Sequence, residues 1–228
     1  QMAALAAVIS YFWRDMRGLA VGSLQAVARR DFTDWHFRFV IWIGLATIPI
    51  GVFGLAMSKL LNTCGSPLRT LPVIGTSCIV MAILLAIAER KASHKRTIDH
   101  VTLKDAMIVG LAQVGALIPG VSRSGSTLTA ALFLGLKRDE AARFSFLLGL
   151  PAIALAGLKE FFVLWRADLD AHGWGVLCFG LFVASLSAFV AIWGLMHLLE
   201  RFSSWPFVIY RGLMGVFLLT AFYLGWLV

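Results

Sequence analysis

The sequence predicts an all-α integral membrane protein, a polytopic helical bundle that carries a re-entrant helical hairpin. Three observations predict it. Of 228 residues, 60% are hydrophobic and only 14% charged, whereas soluble domains run at ~45–50% apolar. Apolar runs approaching or reaching the ~20 residues that cross a bilayer recur along the chain. Two shorter apolar runs flank a Pro/Gly/Ser turn that holds an arginine, Arg123, and an arginine at membrane depth is by default functional.

The elements follow in order. Residues 1–13 are apolar but too short to span, and with no basic leader and no small-residue cleavage site they are not a signal peptide. The sequence therefore reads as a fragment of a longer protein. Residues 14–38 read as a polar loop. Spans are expected at 39–57, which contains Pro49, and at 71–88. A charged loop, 89–105, follows. Residues 106–118 and 128–136 are each too short to cross, so 106–136 is expected to enter and leave on one face. Irregular backbone at that depth is tolerated where protein buries it or where it lines a wet cavity. Later spans are expected at 144–158 (extending toward Phe162), 175–199 and 207–228. No linker divides the chain, so 1–228 is one transmembrane domain.

Charge tests the hairpin. With 106–136 re-entrant, loops on one side hold fourteen Lys and Arg and those opposite hold four. If that segment crossed once, the division would be twelve against six. The positive-inside rule favours the re-entrant arrangement with the basic side cytoplasmic. The net charge of +8 then reports basic loops and anionic membrane lipid rather than nucleic acid.

The run Ile118-Pro119-Gly120-Val121-Ser122-Arg123-Ser124-Gly125-Ser126-Thr127 suits phosphate. Arg123 offers a planar fork of donors. Gly120 and Gly125 let a ligand approach the main chain. Ser122, Ser124, Ser126 and Thr127 supply hydroxyls. A helix is expected from about Thr127, capped by Ser124 or Ser126, with its free N–H groups and positive dipole end toward the ligand. Ser-Gly-Ser alone would fit close helix packing, and Arg123 alone could snorkel. Together they favour an anion. The run is neither a P-loop, which needs its Lys, nor a G-x-S-x-G elbow.

Other polar residues are less specific. Gln113 either bonds the turn or satisfies another helix. Arg211, near a span end, reads as a snorkelling residue ahead of a pocket-lining one. Glu89 beside Arg90 reads as a solvated interfacial pair. His36, His94, His100, His172 and His197 have no ligand spacing for a metal. Cys64, Cys78 and Cys178 read as small buried hydrophobes. Trp35, Trp42, Trp165, Trp174 and Trp205 sit at or near span ends, as in an aromatic belt.

Residues 119–127 resemble the P-G-x-S-R-S-x-x-T motif of the bacterial undecaprenyl-pyrophosphate phosphatases, the BacA/UppP family. The likeness continues through 110–119, 142–151 and 206–211. It implies a membrane enzyme of two inverted repeats, each with a re-entrant hairpin, that converts undecaprenyl pyrophosphate to the monophosphate carrier for cell-wall synthesis. It implies that Arg123 grips the pyrophosphate and that Ser122, Ser124 and Thr127 line the same site; these four are the expected catalytic residues, and Gly120, Gly125, Ser126, Gln113 and Arg211 are expected to hold substrate. A divalent metal, Mg or Ca, a bacterial inner-membrane location and room for a homodimer come with it. One departure matters. The family's E-x-x-x-E and P-x-S-S-x-G-H motifs do not occur in these residues. The chain is thus expected to lack its N-terminal hairpin, about 50 residues by span lengths, to hold no metal ligands and to be inactive alone. The rival reading is a transporter or flippase of an anionic or lipid-phosphate substrate, since broken helices also hold anions there. A PAP2-type phosphatase would need a distal His and an S-G-H turn, both missing.

Overall fold

A computed structural model describes residues 1–58, 66–166 and 170–226. These form nine α-helices and no strand: α1 (Met2–Tyr11), α2 (Trp13–Ala28), α3 (Trp35–Ala56), α4 (Leu71–Lys91), α5 (Leu103–Val114), α6 (Arg123–Phe133), α7 (Arg138–Trp165), α8 (Ala171–Arg201) and α9 (Trp205–Tyr223). Five of them, α3, α4, α7, α8 and α9, are long and apolar enough to cross a membrane. The protein is an all-α, multi-pass membrane protein. The first four expected spans are helical nearly throughout, and the last, expected over 207–228, is helical only as far as Tyr223. Helices α7 and α8 run past the apolar segments at both ends. Residues 227–228 and Cys64 lie outside the described residues.

The first correction falls on 14–38. Most of it is helix, not loop. Helix α2 turns Met16 and Leu19 toward the core and buries Ala26, a helical stripe of small apolar contacts in an otherwise polar segment. It parts from α1 at Phe12, whose buried ring packs on Tyr11 and Phe146. Asp15 in the first turn of α2 pairs with Arg143 of α7. The next helix, α3, starts where Asp34 accepts from the N–H groups of His36 and Phe37.

Small residues let the helices approach closely. A Cβ on Gly110 of α5 would fall 2.2 Å from the Ala46 carbonyl oxygen of α3. Seven residues on, Leu117 lies beside Gly54, so α5 runs along α3 in the same direction. Gly75 of α4 and Gly215 of α9 meet in the same manner.

Helices α5 and α6 pack against each other and share a base. Helix α5 opens with a capping box between Thr102 and Asp105. Arg96 binds Asp105 at 2.6 Å and also donates to the carbonyls of Leu134 at 2.9 Å and His100 at 2.7 Å. Its own main chain bonds Gly135 and Lys137. One side chain thus ties the start of α5 to the end of α6. Beside it, Arg138 donates to Glu89 at 2.7 Å. Glu89 is buried, so its partner is Arg138 across the hairpin base and not solvated Arg90. Burial opposes charge on Asp105, but Arg96 and Thr102 outweigh it and hold that carboxyl below the usual aspartate range.

Candidate functional site

The tip of the hairpin, residues 115–122, joins a short 3-10 turn (Gly115–Leu117) to α6. The helix begins four residues earlier than expected. Arg123 is its first residue and Ser122 its cap, accepting from the Gly125 N–H at 3.3 Å. The N–H groups of Arg123 and Ser124 therefore lie in the first turn, where no intrahelical acceptor exists. They and the helix dipole favour an anion at the tip.

Ser122 holds φ +66° and ψ 123°, a backbone state that strains a residue with a Cβ by ~1–3 kcal/mol. Neighbours enforce it. Gly120 takes φ +93°, and a Cβ there would fall 2.6 Å from the Ile74 carbonyl oxygen. Arg211 donates through Nη2 to the carbonyl oxygens of Gly120 at 2.6 Å and Val121 at 2.7 Å. Arg211 thus braces the turn and lines its cavities, so the snorkelling reading is corrected: those two carbonyls face inward and hold it there. Its Nη1 passes so near Gly125 that a Cβ on that glycine would sit 2.6 Å away.

Arg123 points the other way. Its Nη1 donates to the Gly149 carbonyl oxygen of α7 at 3.0 Å. A Cβ on Gly149 would meet the guanidinium at 3.0–3.3 Å, so glycine makes the seat. The two arginines serve separate cavities. One of about 130 Å³ is lined by Ser122, Ser124, Gly125 and Arg211 under Phe207 and Leu195. Another of about 900 Å³ has Arg123 on its wall and is otherwise almost wholly apolar.

The remaining expected residues lie behind the turn. Ser126 and Thr127 are buried, and their hydroxyls donate to the Arg123 carbonyl oxygen at 2.9 and 3.0 Å. They hold the first turn of α6 and line neither cavity. Gln113 is fully buried and neither head atom of its amide has a partner among the described residues; nothing in the structure explains that. Sequence reasoning missed Cys78, whose Sγ lies 3.5 Å from the Gly120 carbonyl oxygen, and Gly149. Gly149 falls in a run already singled out by resemblance, but no spacing signal ties it to Arg123.

The donor set suits phosphate and not a metal. Two guanidinium groups, hydroxyls and N–H groups surround the tip. No group of three or more His, Cys, Asp or Glu able to hold a metal ion occurs among the described residues.

The sequence profile of the bacitracin resistance protein BacA matches residues 1–217. The chain is 70% identical over 227 residues to undecaprenyl-diphosphatase 2 of Mesorhizobium japonicum, covering 100% of this chain and 86% of that one. It is 43% identical to the undecaprenyl-diphosphatase of Trichormus variabilis, covering 99% of this chain and 71% of the relative. It is 45% identical to that of Synechocystis, covering 99% and 69%.

Proposed function

This chain belongs to the BacA family, and from that premise we propose that it hydrolyses undecaprenyl pyrophosphate to undecaprenyl phosphate and phosphate, returning the lipid carrier to cell-wall synthesis. The observation that carries the reading is Arg123. It opens a helix at the hairpin tip, bonds a carbonyl with one N–H and turns toward an apolar cavity.

In the reaction, water adds to the terminal phosphorus and the bridging P–O bond breaks. Charge moves onto the departing undecaprenyl phosphate. Arg123 and the first N–H groups of α6 neutralise that charge, preorganised in a place with little water. Arg211 and Gly120 keep the turn in the shape that presents them. Ser124 faces the smaller cavity beside Arg211, on the other side of the turn from the Arg123 guanidinium; Ser122 lends its oxygen to the helix cap.

The divalent metal, Mg or Ca, belongs to the proposal by family resemblance alone. The residues present do not fit it, so no step here passes through it. A site of cations and hydroxyls without carboxylates binds pyrophosphate better than it cleaves it. These 228 residues alone are accordingly proposed to turn substrate over poorly. Re-entry of 106–136 into the bilayer, the inverted-repeat plan, the bacterial inner membrane and a homodimer are parts of the same proposal.

The test is phosphate release from undecaprenyl pyrophosphate by the intact protein. Arg123→Ala is expected to lower kcat by about 100-fold or more, as for loss of one transition-state donor. Full-rate hydrolysis in that variant would remove Arg123 from the site.

A further inference from the structure

A separate polar cavity of about 230 Å³ lies beside the base of the hairpin. Its lining includes Arg14 and Asp15 of α2, Trp35 and His36 of α3, Arg143 of α7 and Asp99 of the loop before α5, and no residue of the hairpin tip. Trp35 opens α3 and Arg143 lies in the second turn of α7, so the cavity sits where two membrane-crossing helices begin. Leu24 and Val27, on the face of α2 turned away from Gly18 and the cavity, are exposed, which suits a helix lying in the membrane surface. Gln1 is remote: its nitrogen lies 3.4 Å from Glu160, about 25 Å along α7 from Arg143.

Two kinds of group in the lining lack partners. Trp35 Nε1 and Arg143 Nε are buried donors with no acceptor among the described residues, and such donors are rare in folded proteins. Asp15 takes the charge of Arg143, but neither Arg14 nor Asp99 has an ion-pair partner among the described residues. His36 is turned to Asp34. The lining thus offers three donors to an anion and one spare carboxylate to a cation. Its two arginines and two aspartates cancel, so a ligand that is only an anion would meet Asp15 and Asp99 as well as the arginines. A zwitterion satisfies both signs. The volume falls short of the ~300–1,000 Å³ of whole-ligand pockets and suits a headgroup whose chains stay in the bilayer. We infer that this cavity seats the headgroup of phosphatidylethanolamine, its phosphate accepting from Arg14, Arg143 and Trp35 and its ammonium donating to Asp99. The Ile98 N–H donates to Glu140 of α7 at 3.2 Å, so the bound lipid joins α2 and α3 to a loop already fixed at the hairpin base.

Native mass spectrometry of the intact protein, in micelles holding equal amounts of phosphatidylethanolamine and phosphatidylglycerol, tests this without turnover. The parent is expected to retain phosphatidylethanolamine preferentially. Asp99→Asn should lower that retention about fivefold, the upper end for one exposed ion pair, and Asp99→Lys should turn the preference to phosphatidylglycerol. Asp99 is exposed, so both variants should melt with the parent. An unchanged preference in Asp99→Lys overturns the assignment. A second readout uses the parent alone. A water-soluble carbodiimide should join the lipid amine to Asp99 as an amide, found by peptide mapping, and amides confined to other carboxyls overturn the site. Inorganic phosphate is the other source of a phosphate group and carries no ammonium. Displacement of the lipid by inorganic phosphate at equal concentration overturns the zwitterion in favour of a plain anion site.

Discussion

Removing Arg211 separates a braced turn from a snorkelling side chain. Its Nη2 donates to two main-chain oxygens at 2.6 and 2.7 Å. Hydrogen bonds from a charged donor contribute about 1.5–3 kcal/mol each. The group is half-buried, so water replaces part of that in Arg211→Ala, leaving a loss of about 2–3 kcal/mol. That equals or exceeds the ~1–3 kcal/mol of strain held at Ser122. Without the brace, the turn therefore has the energy to relax. Relaxation at Ser122 moves Arg123, the next residue, and a displacement near 1 Å lowers turnover about 100-fold. Arg211→Lys discriminates further. An ammonium can still bond the carbonyls but has no second arm beside Gly125. The lysine variant is expected to melt with the parent while its kcat falls roughly tenfold. Phosphate release at saturating substrate, with tryptophan fluorescence during heating, reads both effects. Parental kcat and melting temperature in Arg211→Ala would refute the bracing argument outright.

Two further perturbations address the seat and the base. Gly149→Ala places a methyl 3.0–3.3 Å from the Arg123 guanidinium, so that group must shift by a few tenths of an ångström; steady-state kinetics should show kcat down roughly fivefold to tenfold at an unchanged melting temperature, and parental kcat would mean that the seat is slack. Arg96→Met leaves the Asp105 carboxylate and two carbonyls without their cation. Breaking a buried pair costs ~3–5 kcal/mol, and because Arg96 is about a third exposed the expected loss is about 2 kcal/mol, read by thermal melting in detergent. The same pair predicts acid sensitivity. The folded Asp105 carboxyl lies below its unfolded value of ~3.9, so its contribution is complete above that value. It is lost as pH falls through the lower folded value. Asp105→Asn should flatten this part of the stability profile below about pH 4, and an unchanged profile counts against the pair.

The spans and the turn between two short helices were legible because they rest on local patterns: run length and the turn's composition. The motif that carries the family resemblance was legible because its residues are neighbours. What escaped depended on distance along the chain or on partial burial. Helix α2 was hidden because most of its residues face outward and its apolar stripe is narrow. Glu89 sits next to Arg90, so sequence suggested the wrong partner; its ion pair is 49 residues away at Arg138. Arg211 reaches a turn 91 residues upstream. No spacing rule finds such a contact. The start of α6 was misplaced for another reason: Ser122, Ser124 and Ser126 are all competent caps, and only the positive φ at Ser122 decides among them.

The arginines differ in what they hold, and the difference bears on function. Arg96, Arg138 and Arg143 pair with carboxylates: Asp105, Glu89 and Asp15 respectively. Their charge is spent on closing the base of the hairpin and its flank. Arg123 and Arg211, at the tip, bond only main-chain carbonyl oxygens among the described residues. A carbonyl dipole orients a guanidinium without cancelling its charge. Half-burying two cations that no carboxylate cancels costs desolvation, which the hydrogen bonds to main-chain carbonyls offset. A fold that needed them only for packing could replace them with apolar residues. On the proposed function, an anionic substrate beside Arg123 would offset that cost. The ion pairs at the base fix the hairpin that carries Arg123.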